Sequence, residues 1–426
     1  MIEAFETALR RSHGVTILNR NRTSKAAASA LSLMAATCIA AVATAQHQDP
    51  NAARPESPLD AIAYLEAHRD DVAMVLYTVG EDGEPVDDGH SFFFNDDLPM
   101  PLASTAKIAI LAAYAREVAE GRIDPEHQIQ MGEWDQYYLP GTDGGAHASA
   151  LKDVQVAMDE DGFATDPFML VPIRRVVFAM MRHSDNAAAD LLLRRIGHDA
   201  VAETMREAGV ELELNMPSFL GLILFWQNHE RPELNDDGVR TLLDLDPEMR
   251  ILEMRRLQNR YMTDDWRRAE VNWRRSHTPT PESVLHQAMF ADETGPVASA
   301  RAVARLLALA ASDQFLSPKA SEVMRTHLEW PMGVPGTRRS FTRMGAKGGA
   351  LAGVITDSSY LIMRQGDFQG EMRVSALLMR RVPIEAWGTM MTTFAHQQAA
   401  LGAAGHPGFL ARMREALEVE SESAED

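Results

Sequence analysis

The stretch Pro101-Leu-Ala-Ser104-Thr-Ala-Lys107-Ile-Ala-Ile-Leu-Ala-Ala-Tyr114 sets a serine at the start of an apolar helical run and a lysine one turn later. Positions i and i+3 of a helix share a face, so the lysine amine can reach the serine hydroxyl. A serine hydroxyl is a weak nucleophile until a neighbouring base takes its proton, and a positioned lysine is one such base. The pair points to acyl transfer. The pattern S-x-x-K is short, however, and Ser149-Ala-Leu-Lys152 fits it too. A serine at position 104 also reads as a helix N-cap. Elements elsewhere in the chain have to choose between these readings.

Working outward, Leu59 to His68 reads as a short amphipathic helix and Val72 to Val79 as a strong strand. A turn cluster at Glu81–Pro85 separates that strand from Ser91-Phe-Phe-Phe-Asn95, the expected partner of a hairpin. The Ser104 helix is expected to run to Ala119 and to stop at Gly121. Helical periodicity then dominates to about residue 330, with good helices at 172–181, 187–196 and 297–311. Strand character returns at 352–356, 360–363 and 372–379, followed by a final helix over 383–400. Strands at both ends and helices between them predict an α+β sandwich. Its antiparallel sheet is built from both termini, with flanking helices and an inserted all-helical subdomain over about 104–340. No internal repeat is visible.

The segment 212–292 is unusual within that subdomain. It holds Trp226, Trp266, Trp273 and an arginine-rich run from Arg250 to Arg275. Such a run can be a lid or a membrane-surface helix. Its interspersed acids (Glu253, Asp264, Asp265, Glu270) favour a solvated helix laced with ion pairs.

With 46% hydrophobic and 24% charged residues the chain is globular in composition, and a net charge of -20 argues against nucleic acid as a partner. Five basic residues (Arg10, Arg11, Arg20, Arg22, Lys25) precede an uncharged run that ends in Ala43-Thr-Ala45. This reads as a signal peptide over 1–45, cleaved after Ala45, and predicts a periplasmic or otherwise exported protein. Residues 46–58 read as a linker, 59–402 as the catalytic domain and 403–426 as an acidic tail. The sole cysteine, Cys38, lies inside the signal, so no disulfide framework is expected. No later stretch is apolar enough to span a membrane.

Two further elements select Ser104. Ser184-Asp185-Asn186 lies between two predicted helices, and Lys347-Gly348-Gly349-Ala350 lies just before a strand. Singly, the first is an N-cap cluster and the second a turn. In the order S-x-x-K, S-D-N, K-[TS]-G they form a catalytic signature. On these residues the chain resembles the serine β-lactamase family, class A type, from about Asp60 to Gly402. The resemblance implies that Ser104 is acylated and that Lys107 takes its proton or holds a relay. Ser184 would pass a proton to the leaving nitrogen, and Asn186 would bind a substrate carbonyl. Lys347 and Gly349 would line the substrate, Lys347 supplying positive charge near its carboxylate, and the N–H groups of Ser104 and Ala350 would hold the oxyanion. It further implies a monomer that needs no metal or other cofactor and takes a small β-lactam or a peptidoglycan stem peptide.

Two departures separate functions within that resemblance. Gly348 stands where the family carries a hydroxyl, and Arg338, Arg339 or Arg343 are candidates to replace its contact with the substrate carboxylate. The family's water-activating glutamate lies in E-P-E-L-N; here the sequence is Glu230-Arg231-Pro232-Glu233-Leu234-Asn235, with arginine where the base belongs. Glu230 is the candidate base, with Glu233 behind it. With a competent base the expected activity is β-lactam hydrolysis. Without one, the chain resembles a penicillin-binding D-Ala-D-Ala carboxypeptidase, an esterase, or a catalytically impaired binding protein on the same fold.

Overall fold

In the computed structural model of this protein, residues 54–232 and 234–418 are described. The predicted signal peptide, most of the linker, Glu233 and the end of the acidic tail lie outside them. Five strands make one antiparallel sheet: β1 (Val72–Thr78), β2 (Phe92–Phe94), β3 (Phe341–Leu351), β4 (Val354–Met363) and β5 (Met372–Met379). Their spatial order is β2-β1-β5-β4-β3. The seam between the two chain ends is the β1–β5 pairing, with Val72 opposite Met379 and Thr78 opposite Arg373. The sheet is thus assembled from both termini, as the strand pattern implied.

Every residue of β1 is buried, because both faces of the sheet are covered. Ala73, Val75 and Tyr77 face the helical body. Val72, Met74 and Leu76 face a second core built with Leu65, Trp387, Leu401 and Leu417. The helix at the centre of the body, Lys107–Ala119, buries all of its first nine residues. A helix apolar all round belongs inside, which explains why Ile-Ala-Ile-Leu-Ala-Ala carries no polar face.

Four assignments differ from the sequence reading. The two late strands expected at 352–356 and 360–363 are one strand, β4, and Lys347 lies within β3 rather than at a strand's beginning. The expected final helix is broken at Phe394, whose left-handed φ of 56° ends Ile384–Thr393 before Ala395–Gly405 begins. Residues 403–418 are not tail: Pro407–Glu418 is a helix whose Leu410, Met413 and Leu417 complete the second core. Their apolar spacing on one face is what outweighs the acidic composition.

The insert folds as helices Phe219–Trp226, Asp236–Leu243, Pro247–Tyr261, Asp264–Ser276 and Pro281–Glu293. Its arginines form the expected short-range pairs, Arg256 with Glu253, Arg268 with Asp265 and Arg274 with Glu270. The last pair is internal: Glu270 is fully buried, accepts from His229 N at 2.8 Å, and fixes the loop after Trp226. No helix among the described residues is long and apolar enough to cross a membrane.

Candidate active site

Ser104 sits in a short 3-10 turn, Ala103–Ala106, and the α-helix proper begins at Lys107. Ala103 enters the turn with φ of 45°, a conformation that non-glycine residues seldom hold without outside support. The support comes from the sheet. Thr105 Oγ1 meets Thr356 Oγ1 of β4 at 2.8 Å, and Thr356 Oγ1 donates to Leu102 O at 3.0 Å. Gly349 presses against the turn so closely that a Cβ there would lie 2.6 Å from Ser104 N. Only glycine fits, and the contact sets the backbone N–H of Ser104 beside the strand residue that precedes Ala350.

The structure brings Ser104, Lys107, Ser184, Asn186 and Lys347 together. Lys107 Nζ lies 3.0 Å from Ser104 Oγ, 2.5 Å from Ser184 O and 2.6 Å from Asn186 Oδ1. Lys347 Nζ lies 2.9 Å from Ser184 Oγ, so the two lysines meet across one hydroxyl. Burial pushes the Lys107 amine down to about 7, against the pull of Asp185, Asp190 and Asp143. Burial, reinforced by repulsion from Lys107, pushes Lys347 down as well. A neutral Lys107 has two N–H groups, matched by the oxygens of Ser184 and Asn186, and one lone pair left for the Ser104 proton. That is the arrangement of a base poised for a serine.

Ser184 is held with φ of 65° between helices Ile173–Arg182 and Asn186–Ile196. Asp185 anchors it from below. Its carboxylate caps the following helix through Ala187 N at 2.9 Å and accepts from Trp134 Nε1 at 3.0 Å and His147 Nδ1 at 2.9 Å. The other ring nitrogen of His147 meets Asp135 Oδ1 at 2.9 Å. Burial opposes charge on this imidazole, but Asp185 and Asp135 outweigh it and push it up to about 10. The Asp135–His147–Asp185 chain, stacked under Tyr138 at 4.2 Å, was not singled out by sequence reasoning. Only Asp185 belongs to a motif, and its partners His147 and Asp135 meet it only in the fold.

His147 supports a prediction about stability. Its folded-state proton affinity is raised, so the stabilisation is fully present below the unfolded value near 6.5 and is lost as pH rises through about 10. Removing the imidazole leaves two buried carboxylates unpaired, which costs about 3–5 kcal/mol. His147→Gln is expected to melt at lower temperature than wild type. The gap in melting temperature should narrow from pH 7 to pH 10; a gap that does not change with pH would contradict a charged imidazole.

Glu230 is a correction. It is bound at both oxygens by Arg260 Nη1 and Nη2, each at 2.5 Å, on a half-exposed surface, and it contacts none of the groups above. Although partial burial opposes it, the Arg260 guanidinium holds its carboxyl below the usual range. Asn235 caps helix Asp236–Leu243, and Arg231 turns to Glu253 at 3.5 Å. Among the described residues no carboxylate hydrogen-bonds Ser104 or Lys107. The acids whose charge Lys107 feels are already engaged by backbone N–H groups: Asp185 as above, Asp190 by Phe219 and Leu220, Asp143 by Gly145 and His147.

Two of the three arginines considered as replacements for the missing hydroxyl at Gly348 are engaged elsewhere. Arg343 is held by Glu329 at 2.9 Å, and Arg338 donates to Met332 O. The insert also holds a histidine–carboxylate trio, Asp236, Glu282 and His286, which touches none of the groups around Ser104.

Residues 60–235 match the sequence model of the Beta-lactamase enzyme family. No curated protein matches the sequence. Among solved structures, the chain is similar to a beta-lactamase from Sphaerobacter thermophilus at 18% identity, covering 81% of this chain and 96% of that one, with a TM-score of 0.47. It is similar to PBP-A at 15% identity, 81% and 95% coverage and a TM-score of 0.43. It is also similar to a carbapenemase from Vibrio cholerae at 14% identity, 79% and 98% coverage and a TM-score of 0.42.

Proposed function

We propose that this chain, whose residues 60–235 match the Beta-lactamase enzyme family, is an exported serine hydrolase whose Ser104 opens β-lactam rings to give an acyl-enzyme. The observation that carries the proposal is the 3.0 Å approach of Ser104 Oγ to a buried amine whose proton affinity has fallen to about 7. Ser104 Oγ attacks the lactam carbonyl carbon as its proton passes to Lys107. The C–N bond breaks, and the nitrogen takes a proton through Ser184 Oγ, which Lys347 holds from the other side at 2.9 Å. Developing charge on the carbonyl oxygen falls to the N–H groups of Ser104 and Ala350. Asn186 keeps its Nδ2 free of Lys107, since its Oδ1 takes that contact, and so can donate to a substrate amide carbonyl. The substrate carboxylate is met by Lys347, whose proton its charge would stabilise.

The test is intact-mass spectrometry of the mature protein with benzylpenicillin, which should add the mass of one whole penicillin. The second-order acylation rate should climb with pH to a plateau above about 7, because only the neutral Lys107 can take the Ser104 proton. No adduct and no turnover with any β-lactam would sink the proposal. A second reading, a persistent acyl-enzyme of the penicillin-binding kind rather than rapid hydrolysis, is favoured by the engagement of Glu230 with Arg260.

A further inference from the structure

The helical insert is rich in arginine, and several of its acids pair with it. Glu230 is bound by Arg260, Glu253 by Arg256, Asp265 by Arg268 and Glu270 by Arg274. Asp236 and Glu282 differ. Asp236 opens helix Asp236–Leu243, and Glu282 lies in the first turn of helix Pro281–Glu293. Among the described residues neither forms an ion pair with lysine or arginine, yet one oxygen of each lies within 4.8 Å of the other and of a ring nitrogen of His286. Acids often stand at helix N-termini because they satisfy free backbone N–H groups there. Here other residues do that. Asn235 caps the first helix through Gly238 N, and Thr280 and Ser283 close a capping box on the second. Neither carboxylate is spent on a cap.

His286 makes a site of the pair. It follows Glu282 at i+4, on the same face of helix Pro281–Glu293. The residue is only 6% exposed, and its Nε2 emerges at the carboxylates, 2.9 Å from Asp236 Oδ1. A buried imidazole that turns its nitrogen towards two exposed carboxylates offers the donor set of a metal ion. Two ligands at i and i+4 of one helix is a spacing that holds zinc. Zinc bonds of about 2.0–2.2 Å set tetrahedral ligand atoms about 3.3 Å apart. The His286 and Asp236 atoms are slightly closer than that, all three lie within 4.8 Å, and the Asp236 side chain is 71% exposed and can turn. An imidazole nitrogen suits zinc and its first-row neighbours, whereas calcium and magnesium prefer shells of oxygen alone.

We infer that Asp236, Glu282 and His286 bind one divalent transition-metal ion, zinc by the chemistry of the set, and that the ion clips helix Asp236–Leu243 to helix Pro281–Glu293. The first of these helices has little else to hold it, since Val239 is its one buried residue. A shared ion ties the two helices through side chains that make no apolar contact of their own. Its role is structural. The trio touches none of the groups around Ser104, so the inference goes beyond the acylation proposed above and does not depend on it.

The experiment takes protein purified without an affinity tag and stripped with EDTA, and titrates zinc into it against a chromophoric chelator. One equivalent should bind, and should raise the melting temperature because the three ligands meet only in the folded chain. Asp236→Asn, Glu282→Gln and His286→Ala should each weaken binding more than ~10-fold, the least that loss of even a supporting residue costs a metal site. Asp237→Asn removes a charge from the same helical turn but no ligand, and should bind zinc as wild type does. Cobalt(II) in place of zinc should give visible absorption bands that His286→Ala loses. The Asp236 and Glu282 variants alter exposed side chains and keep the test decisive if the alanine variant does not fold. Four results each overturn the inference: no stoichiometric binding, binding unmoved by the three ligand substitutions, equal weakening in Asp237→Asn, or displacement of zinc by a modest excess of calcium or magnesium.

Discussion

Ser104→Ala is expected to take no penicillin label and to lose on the order of 10⁶-fold in β-lactam opening, as enzymes do when the nucleophile of a coupled serine–base pair is removed. The decoy substitution Ser149→Ala is expected to leave labelling unchanged. The two serines differ in their lysines, not in their spacing. Lys107 is wholly buried and lies 3.0 Å from its serine. Lys152 is exposed to solvent at the end of helix Ala146–Asp153 and makes no hydrogen bond to Ser149. A solvated amine has no reason to give up its proton, whereas a desolvated one does. Intact-mass analysis of both variants decides the matter: label retained by Ser104→Ala, or lost by Ser149→Ala, would move the nucleophile elsewhere.

Lys107→Met is expected to keep the fold and to lower acylation by ~10⁴-fold, the scale on which removal of a proton-transfer partner acts in a coupled catalytic set. Methionine fills a similar volume and removes an amine whose burial is unfavourable. The substitution leaves Ser184 O and Asn186 Oδ1 without their shared donor, which offsets part of that gain. The pH dependence supplies a sharper readout than the rate. In wild type the expected rise of acylation with pH would reflect an amine pushed down to about 7 by burial. In the methionine variant that limb should vanish, leaving residual acylation flat between pH 6 and 8. A limb of unchanged position would show that another group, with Lys347 the first to examine, takes the serine proton.

Much of the site was legible because its parts are local. Ser104 and Lys107 meet one turn apart on a helix, and Asp185 caps the helix that Asn186 begins; both relations span three residues or fewer. The family resemblance extended this by order alone, placing Lys347 with the other two elements. Where local signals conflicted with packing, packing won. The acidic composition after residue 402 suggested a tail, but Leu410, Met413 and Leu417 close the core beneath the sheet. The proximity of Glu230 to Pro-Glu-Leu-Asn suggested a base, but Arg260, thirty residues on, captures its carboxylate.

By itself the sequence determined which residues carry chemistry at short range and that strands from both ends close one sheet, since helix faces, caps and strand alternation depend on near neighbours. The tertiary structure alone decided three things. It buried Lys107 and so depressed its amine; it set His147 between Asp135 and Asp185; and it laid Phe219 over Lys107. The physical reason is the same in each case. Desolvation, charge pairing between distant residues and the shielding of one side chain by another depend on what a group is packed against, and for Phe219 that is fixed by Asp190, twenty-nine residues away in the chain.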